Sequence, residues 1–140
     1  MKRLVIFEGI DRCGKSTQIE ILNDKLKSLG YNIHTMSYGK PLYDDYDYSY
    51  SYYLQEFYLY DYLLNEQKNN VILCDRSFLG EYVWSQYRPY NGEKMVKALI
   101  NSNIFKRIAS NLNLFVFSDT YQNYLTRDDG KSMFSNQKSF

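Results

Sequence analysis

The segment that most constrains the fold is residues 4–17, whose sequence is LVIFEGIDRCGKST. A short apolar run ends at Gly9, and four residues later come Gly14, Lys15 and Ser16. This spacing is the G-x-x-x-x-G-K-[ST] pattern of a phosphate-binding loop, which lies between a buried strand and a helix. The apolar run fits the strand, and the isoleucine and leucines that recur at helical spacing after the loop fit the helix.

The loop pattern predicts a site for a nucleotide and its metal ion. Gly9 and Gly14 allow the tight curl that points successive N–H groups at phosphate oxygens. Lys15 is expected to reach the β- and γ-phosphates, and the Ser16 hydroxyl to bind Mg²⁺. With Thr17, these residues form the predicted binding site for ATP and Mg²⁺.

The rest of the chain predicts strands that alternate with helices, which is the pattern of an α/β fold with a parallel sheet. With 140 residues, the chain is expected to form one domain, residues 1–140, with an irregular tail at 127–140. Strands are predicted near residues 4–7, 32–36, 71–74 and 112–117, and helices near 15–29, 50–67, 78–87, 92–110 and 119–125.

Charge and hydropathy exclude several classes of partner. The net charge of +1 gives no broad field for binding nucleic acid. No apolar run approaches the length of a membrane span, and the N-terminus lacks the apolar core of a signal peptide. The two cysteines, Cys13 and Cys74, lack metal-ligand spacing and are expected to be reduced thiols. We therefore expect a cytoplasmic protein.

The chain contains 16 tyrosines, many of them crowded between Tyr38 and Tyr62. Tyrosine tolerates half-burial, so the tract is explained by a compositional bias that fills amphipathic positions. A surface on which nucleotide bases stack is the alternative.

Polar side chains follow several predicted strands. Ligands of parallel sheets bind beyond the carboxyl ends of the strands. The loop at residues 9–15, Lys40, Asp75, Arg76 and Asp119 all fall at such ends. One edge of the sheet is therefore predicted to collect the loop, cations and carboxylates.

The sequence FEGIDRCGKSTQ at residues 7–18, with Asp75 and Arg76 after an apolar strand, resembles the thymidylate kinase family. It is especially similar to the compact thymidylate or deoxynucleoside monophosphate kinases of phages and other viruses. The resemblance implies a three-layer P-loop nucleoside monophosphate kinase fold and Mg²⁺-dependent phosphoryl transfer from ATP, with dTMP converted to dTDP. It also implies a homodimer and, for a viral member, the host cytoplasm.

The resemblance assigns catalytic roles to five positions. Lys15 would hold the donor phosphates, while Ser16 and Asp75 would hold Mg²⁺. Arg12 stands where one branch of the family carries a catalytic arginine in the loop. Arg127 lies in a segment that resembles a shortened lid, the place of this arginine in the other branch.

The resemblance also assigns residues to the acceptor nucleotide. Asp11 would contact the 3′-hydroxyl of the sugar, and Arg76 would bind the acceptor phosphate. Tyr82 and Arg88 belong to a segment that resembles the acceptor-side helix.

Two further positions bear on the identity of the acceptor. Deoxynucleoside kinases typically place a glutamate just after the second strand, where this chain has Lys40. A cation there favours a monophosphate acceptor, which is largely ionised near neutral pH and needs no base. Gln55 is the polar side chain expected to read the base, in place of the arginine usual in the family.

Two alternatives remain open: a deoxynucleoside kinase, and a truncated protein that binds nucleotides without catalysis. The second arises because the chain predicts only about four strands. Family members usually add a fifth strand and a closing helix, and without that cover we expect exposed apolar surface.

Overall fold

The computed structural model describes residues 2–9, 14–37, 41–66 and 68–117. These residues form an α/β fold with helices on both faces of a four-stranded sheet. In chain order the elements are β1 (Arg3–Gly9), α1 (Lys15–Ser28), β2 (Asn32–Ser37), α2 (Tyr46–Glu66), β3 (Asn70–Asp75), α3 (Gly80–Val83), a 3₁₀ turn (Ser85–Tyr87), α4 (Gly92–Ile100), α5 (Asn103–Ala109) and β4 (Leu112–Phe117).

The four strands are all parallel and lie in the order β2-β3-β1-β4. Phe7 of β1 and Ser37 of β2 both stand in register with Asp75 of β3. The carboxyl ends of the three strands are therefore level. The parallel α/β sheet of about four strands predicted from the sequence is confirmed.

Alternation along the strands divides the core into two layers. One set of side chains packs against α1, and the other packs against α2, α4 and α5. Because helices cover both faces of the sheet, the successive residues 4–7 of β1 and 71–74 of β3 are all apolar and buried. The α1 layer contains Val5, Phe7, Val71 and Leu73, and the opposite layer contains Leu4, Ile6, Ile72 and Cys74.

Helix α2 contains much of the tyrosine tract, and one of its faces lies in the core. Tyr53, Phe57, Tyr60 and Leu64 recur at helical spacing and are all buried. Tyr58 and other tyrosines on the opposite face are exposed. The distribution is the one expected when tyrosine fills amphipathic positions.

Two predicted helices are shorter in the structure. The helix predicted at 92–110 is two helices, because the Ser102 hydroxyl accepts a hydrogen bond from the Phe105 N–H and so begins α5. The helix predicted at 78–87 is only α3 and the 3₁₀ turn. Arg88 precedes Pro89 and is extended, with φ −103° and ψ 149°. The helix predicted at 119–125 lies outside the described residues.

The edge strand β4 carries apolar side chains that face solvent. Leu114, Phe115 and Val116 are 46%, 50% and 71% exposed. Only part of this surface is covered, since the Phe115 ring stacks on Phe7 with centroids 5.7 Å apart. The exposed apolar surface expected from the sequence is thus present on β4.

The Phe57→Ala substitution tests the α2 layer of the core. Phe57 packs against Phe78 and Phe105, with ring centroids 4.9 and 5.5 Å away. We expect its removal to lower the free energy of unfolding by about 3–5 kcal/mol in urea denaturation. The neighbouring Tyr58→Ala variant, at a 56% exposed position, should change it by less than about 0.5 kcal/mol. Equal effects of the two variants would contradict the observed packing of α2.

Candidate functional site

The candidate site begins at the N-terminus of α1. Gly14 precedes the first residue of α1 and has a left-handed backbone, with φ 90° and ψ 6°. Its carbonyl accepts a hydrogen bond from the Gln18 N–H at 3.1 Å, which closes the first turn. The first N–H groups of α1 have no partners within the helix and attract anions at this end.

An ion pair between a buried lysine and a partly exposed aspartate joins α1 to β3. The Lys15 ammonium lies 2.7 Å from Oδ1 of Asp75, and the Lys15 side chain is only 7% exposed. The Ser16 hydroxyl donates a longer hydrogen bond of 3.5 Å to Oδ2 of the same carboxylate. Two predicted ATP- and metal-binding residues therefore converge on a third, Asp75, at the carboxyl edge of the sheet.

The chemistry of this cluster fits Mg²⁺. The ion prefers oxygen ligands and is usually held by one or two carboxylates together with phosphates and water. The Ser16 hydroxyl and the Asp75 carboxylate supply such oxygens on adjoining elements. In the described parts of the chain, no group of three or more His, Cys, Asp or Glu forms a protein-only metal cage.

Arg76 follows Asp75 in a backbone conformation that is uncommon for arginine. Its φ is 72°, and its N–H donates a 2.8 Å hydrogen bond to the carbonyl of Phe7. A left-handed backbone costs an L-residue with a side chain roughly 1–2 kcal/mol. The hydrogen bond to β1 holds this turn in place and fixes where the arginine leaves the sheet.

Glu8 is a site residue that the sequence reasoning did not select. Its Oε1 accepts a 2.6 Å hydrogen bond from the Ser77 hydroxyl. Burial raises the pKa of Glu8, while the Ser77 hydrogen bond and the positive charges of Arg76 and Lys15 oppose the rise. One feature of the sequence could have identified Glu8: it is a lone polar side chain near the end of an apolar strand, directly before the first glycine of the loop motif.

The predicted acceptor-side residues separate into buried and exposed positions. Arg88 donates from Nε to Oε2 of Glu81 at 3.2 Å and is 3.9 Å from the Asp44 carboxylate. Its guanidinium thus has partners within the chain. Tyr82 and Gln55 are exposed.

Glu81 organises this region, and the sequence reasoning missed it too. Its carboxylate is fully buried and accepts hydrogen bonds from Tyr53 at 2.7 Å, Tyr90 at 2.9 Å and Arg88. Burial, followed by hydrogen bonding to Glu81, raises the pKa of Tyr53. The network fastens the segment after α3 to α2. No local pattern marks it, because it joins positions distant in the chain.

A cleft of about 320 Å³ opens at the carboxyl end of β2. It is lined by Met36 and Ser37 of the strand and by Glu56 and Leu59 of α2. Since Ser37 is in register with Asp75, the cleft lies one strand away from the ion pair.

Several predicted site residues lie outside the described parts of the chain. They are Asp11 and Arg12 of the loop, Lys40 after β2, and Arg127 in the tail. Their roles stay predictions.

Among solved structures, the chain is similar to a thymidylate kinase from Ehrlichia chaffeensis. The TM-score is 0.50 and the sequence identity 14%, over 89% of this chain and 81% of that one. No protein-family model matches the sequence, and no curated protein matches it. The likeness establishes a P-loop kinase-like fold. Similarity to the phage and viral members stays a prediction.

None of the helices in the described residues is long and apolar enough to cross a membrane.

The left-handed backbone of Gly14 gives a test that separates stability from ligand binding. Gly14 and Gly30 have nearly equal φ angles, 90° and 89°, and an added Cβ meets no atom within 4 Å at either. Replacing either by alanine should cost roughly 1–2 kcal/mol in urea denaturation. Only Gly14→Ala should also weaken binding of ATP in calorimetry. Equal ATP affinities of the two variants would contradict a phosphate site at Gly14.

The pKa of Glu8 predicts a pH dependence of stability. A carboxyl whose pKa is raised by folding stabilises most below its ordinary value of 4.5, and this contribution is lost as pH rises through the folded pKa. Glu8→Gln keeps an acceptor for Ser77 but removes the ionisation. We therefore expect wild type to lose stability relative to this variant as pH rises above 4.5. Chemical denaturation across pH measures it, with the exposed Glu66→Gln as control. Parallel curves for wild type and Glu8→Gln would refute the prediction.

Proposed function

We propose that the protein transfers the γ-phosphoryl group of ATP to a deoxynucleoside monophosphate, with Mg²⁺ as cofactor. The observation that carries the proposal is the convergence of Lys15 and Ser16 on Asp75, immediately after the left-handed Gly14. This cluster lies at the edge of a parallel sheet where nucleotides bind. The kinase-like fold supports the same reaction class.

Lys15 and Asp75 exchange partners when the nucleotide binds. Without a nucleotide, the buried ammonium of Lys15 is neutralised by Asp75 at 2.7 Å. Triphosphate oxygens would compete for that ammonium, and Asp75 and Ser16 would hold Mg²⁺. The metal would supply charge neutralisation for the phosphates. The protein itself would hold and orient the phosphates.

A monophosphate acceptor suits two cations, Arg76 and Lys40, that follow strands β3 and β2 in the sequence. Its second pKa is about 6, so it attacks without a protein base but needs its charge balanced. Arg76, whose backbone is held by its hydrogen bond to Phe7, is proposed to bind this phosphate. Lys40 is proposed to contribute a second positive charge. Asp11 is proposed to hold the sugar. Arg12 or Arg127 is proposed to stabilise the transferring group.

The family resemblance suggests that the acceptor nucleotide is dTMP, whose base is thymine. The similar solved structure is described as a thymidylate kinase, which supports a monophosphate acceptor of the dTMP type.

A deoxynucleoside kinase is the second candidate, because the site contains a carboxylate suited to act as a base. Glu8 lies at the carboxyl edge, and burial raises its pKa. General bases with raised pKa values serve hydroxyl acceptors. Turnover of thymidine itself, lost in Glu8→Gln, would favour this candidate over the first.

The Lys15→Ala variant tests the proposed function. In an assay that couples ADP release to a readout, wild type should turn over at least one of dTMP, dUMP, dGMP, dCMP and dAMP. Loss of the Lys15 charge should lower kcat/KM by about 10³-fold or more, because it removes stabilisation of the transferring phosphoryl. Lys25→Ala, at an exposed position of the same helix, is the matched control and should retain full activity.

Two results would overturn the proposal. One is the absence of turnover with every monophosphate from protein that unfolds cooperatively, which would favour a nucleotide-binding protein without catalysis. The other is equal activity of Lys15→Ala and Lys25→Ala.

A further inference from the structure

Strand β4 carries two phenylalanines beside the start of the loop motif, and we propose that Phe115 and Phe117 bind the base of the donor nucleotide by stacking. The proposal rests on the proposed function only in taking ATP as the donor. It gives a binding role to two aromatic side chains that the phosphate site at Lys15 and Ser16 does not use.

Phe115 and Phe117 form one aromatic surface with Phe7 of β1. Phe115 is in register with Phe7, and Phe117 with Gly9, so the three rings lie on the face of the sheet that α1 covers. The centroid of the Phe7 ring is 5.7 Å from that of Phe115 and 6.1 Å from that of Phe117. Because Phe7 is buried, its ring contacts keep the two rings of β4 in place.

This aromatic surface lies at the margin of the helical cover. Helix α1 packs on β1, β2 and β3, whereas β4 is the edge strand beyond β1. Phe115 is 50% exposed and Phe117 is partly exposed. Aromatic rings that are held on one side and open on the other can receive a flat heterocycle, and stacking on such rings is a common way for proteins to bind nucleotide bases.

The surface lies on the side of the phosphate site where the donor base is expected. Gly9 is the first glycine of the loop motif, and its partner Phe117 is on an adjacent strand about 4.8 Å away. Asp75, which holds Lys15, is in register with Phe7 and lies on the same face. Strands β3 and β4 flank β1 on opposite sides. Since the acceptor is proposed to bind after β3, a donor that directs its γ-phosphate toward the acceptor has its base on the side of β4.

A second copy of the chain is the alternative occupant of this surface. The base of a nucleotide matches the area of two rings, whereas a stable protein interface buries roughly 800 Å² on each partner. The apolar side chains of Leu114 and Val116 are also exposed, but strand alternation places them on the opposite face of the sheet. The area available beside Phe115 and Phe117 therefore favours the base, and Val116 offers a matched control on the same strand.

Calorimetric titration with ATP and with tripolyphosphate, both in the presence of Mg²⁺, tests the proposal. Phe117→Leu keeps apolar bulk but removes the ring face, so it should lower the affinity for ATP by about 10-fold and leave that for tripolyphosphate unchanged. GTP should lose affinity by a similar factor, because every base offers a ring face. Phe117→Trp should retain the affinity for ATP. Val116→Ala, at a 71% exposed position, should leave both affinities unchanged.

The binding measurements distinguish failure of this inference from failure of the proposed function. A loss in Phe117→Leu that is confined to nucleotides supports the inference even without turnover, in which case the proposed function alone fails. Equal losses for ATP and tripolyphosphate, or no loss for either, would overturn the inference, because the ring then serves packing only. Dissociation of a dimer with unchanged ATP affinity would assign the surface to a second copy and overturn it as well. Absence of ATP binding to folded wild type overturns both. If Phe117→Leu does not fold, Phe115→Leu, at a half-exposed position, provides the same comparison.

Discussion

The ion pair between Lys15 and Asp75 is the contact on which the candidate site depends. It connects the helix after the loop to the central strand β3, at a separation of 60 positions in the chain. Removing two charges from water is costly, and a pair of this kind is weak evidence for stability. The pair holds the Lys15 ammonium at the carboxyl edge of the sheet, at the N-terminus of α1.

Because successive side chains of a strand point to opposite faces of the sheet, the carboxylates at the strand ends lie on both faces. Asp75 follows the α1-facing parity of Val71 and Leu73, and it meets Lys15 there. Glu8 follows the opposite parity of Leu4 and Ile6 and meets Ser77. Asp75 and Glu8 therefore lie at the same edge of the sheet but on opposite faces of it.

The sequence alone predicted the sheet and the helix that begins after Gly14 because both have local signals: an apolar run, a fixed glycine spacing and helical periodicity. The sequence did not predict features that depend on a single residue or on a contact between residues far apart in the chain. Ser102 interrupts a periodic helix, and Arg88 before Pro89 ends another. Glu8 and Glu81 become site or network residues through partners 69 and 28 positions away, which no pattern along the chain displays. The meeting of Asp75 with Lys15 could be anticipated because both follow strands whose carboxyl ends lie at one edge of a parallel sheet.

The left-handed backbone at Arg76 has a consequence for how this protein tolerates change. A glycine would adopt φ 72° without the steric cost that an arginine side chain meets there. The backbone at this turn therefore favours glycine, whereas the interaction of the Arg76 charge with Glu8 favours the arginine. If Arg76 binds a phosphate as proposed, binding is a second reason for the chain to keep a side chain at a position where the backbone opposes one.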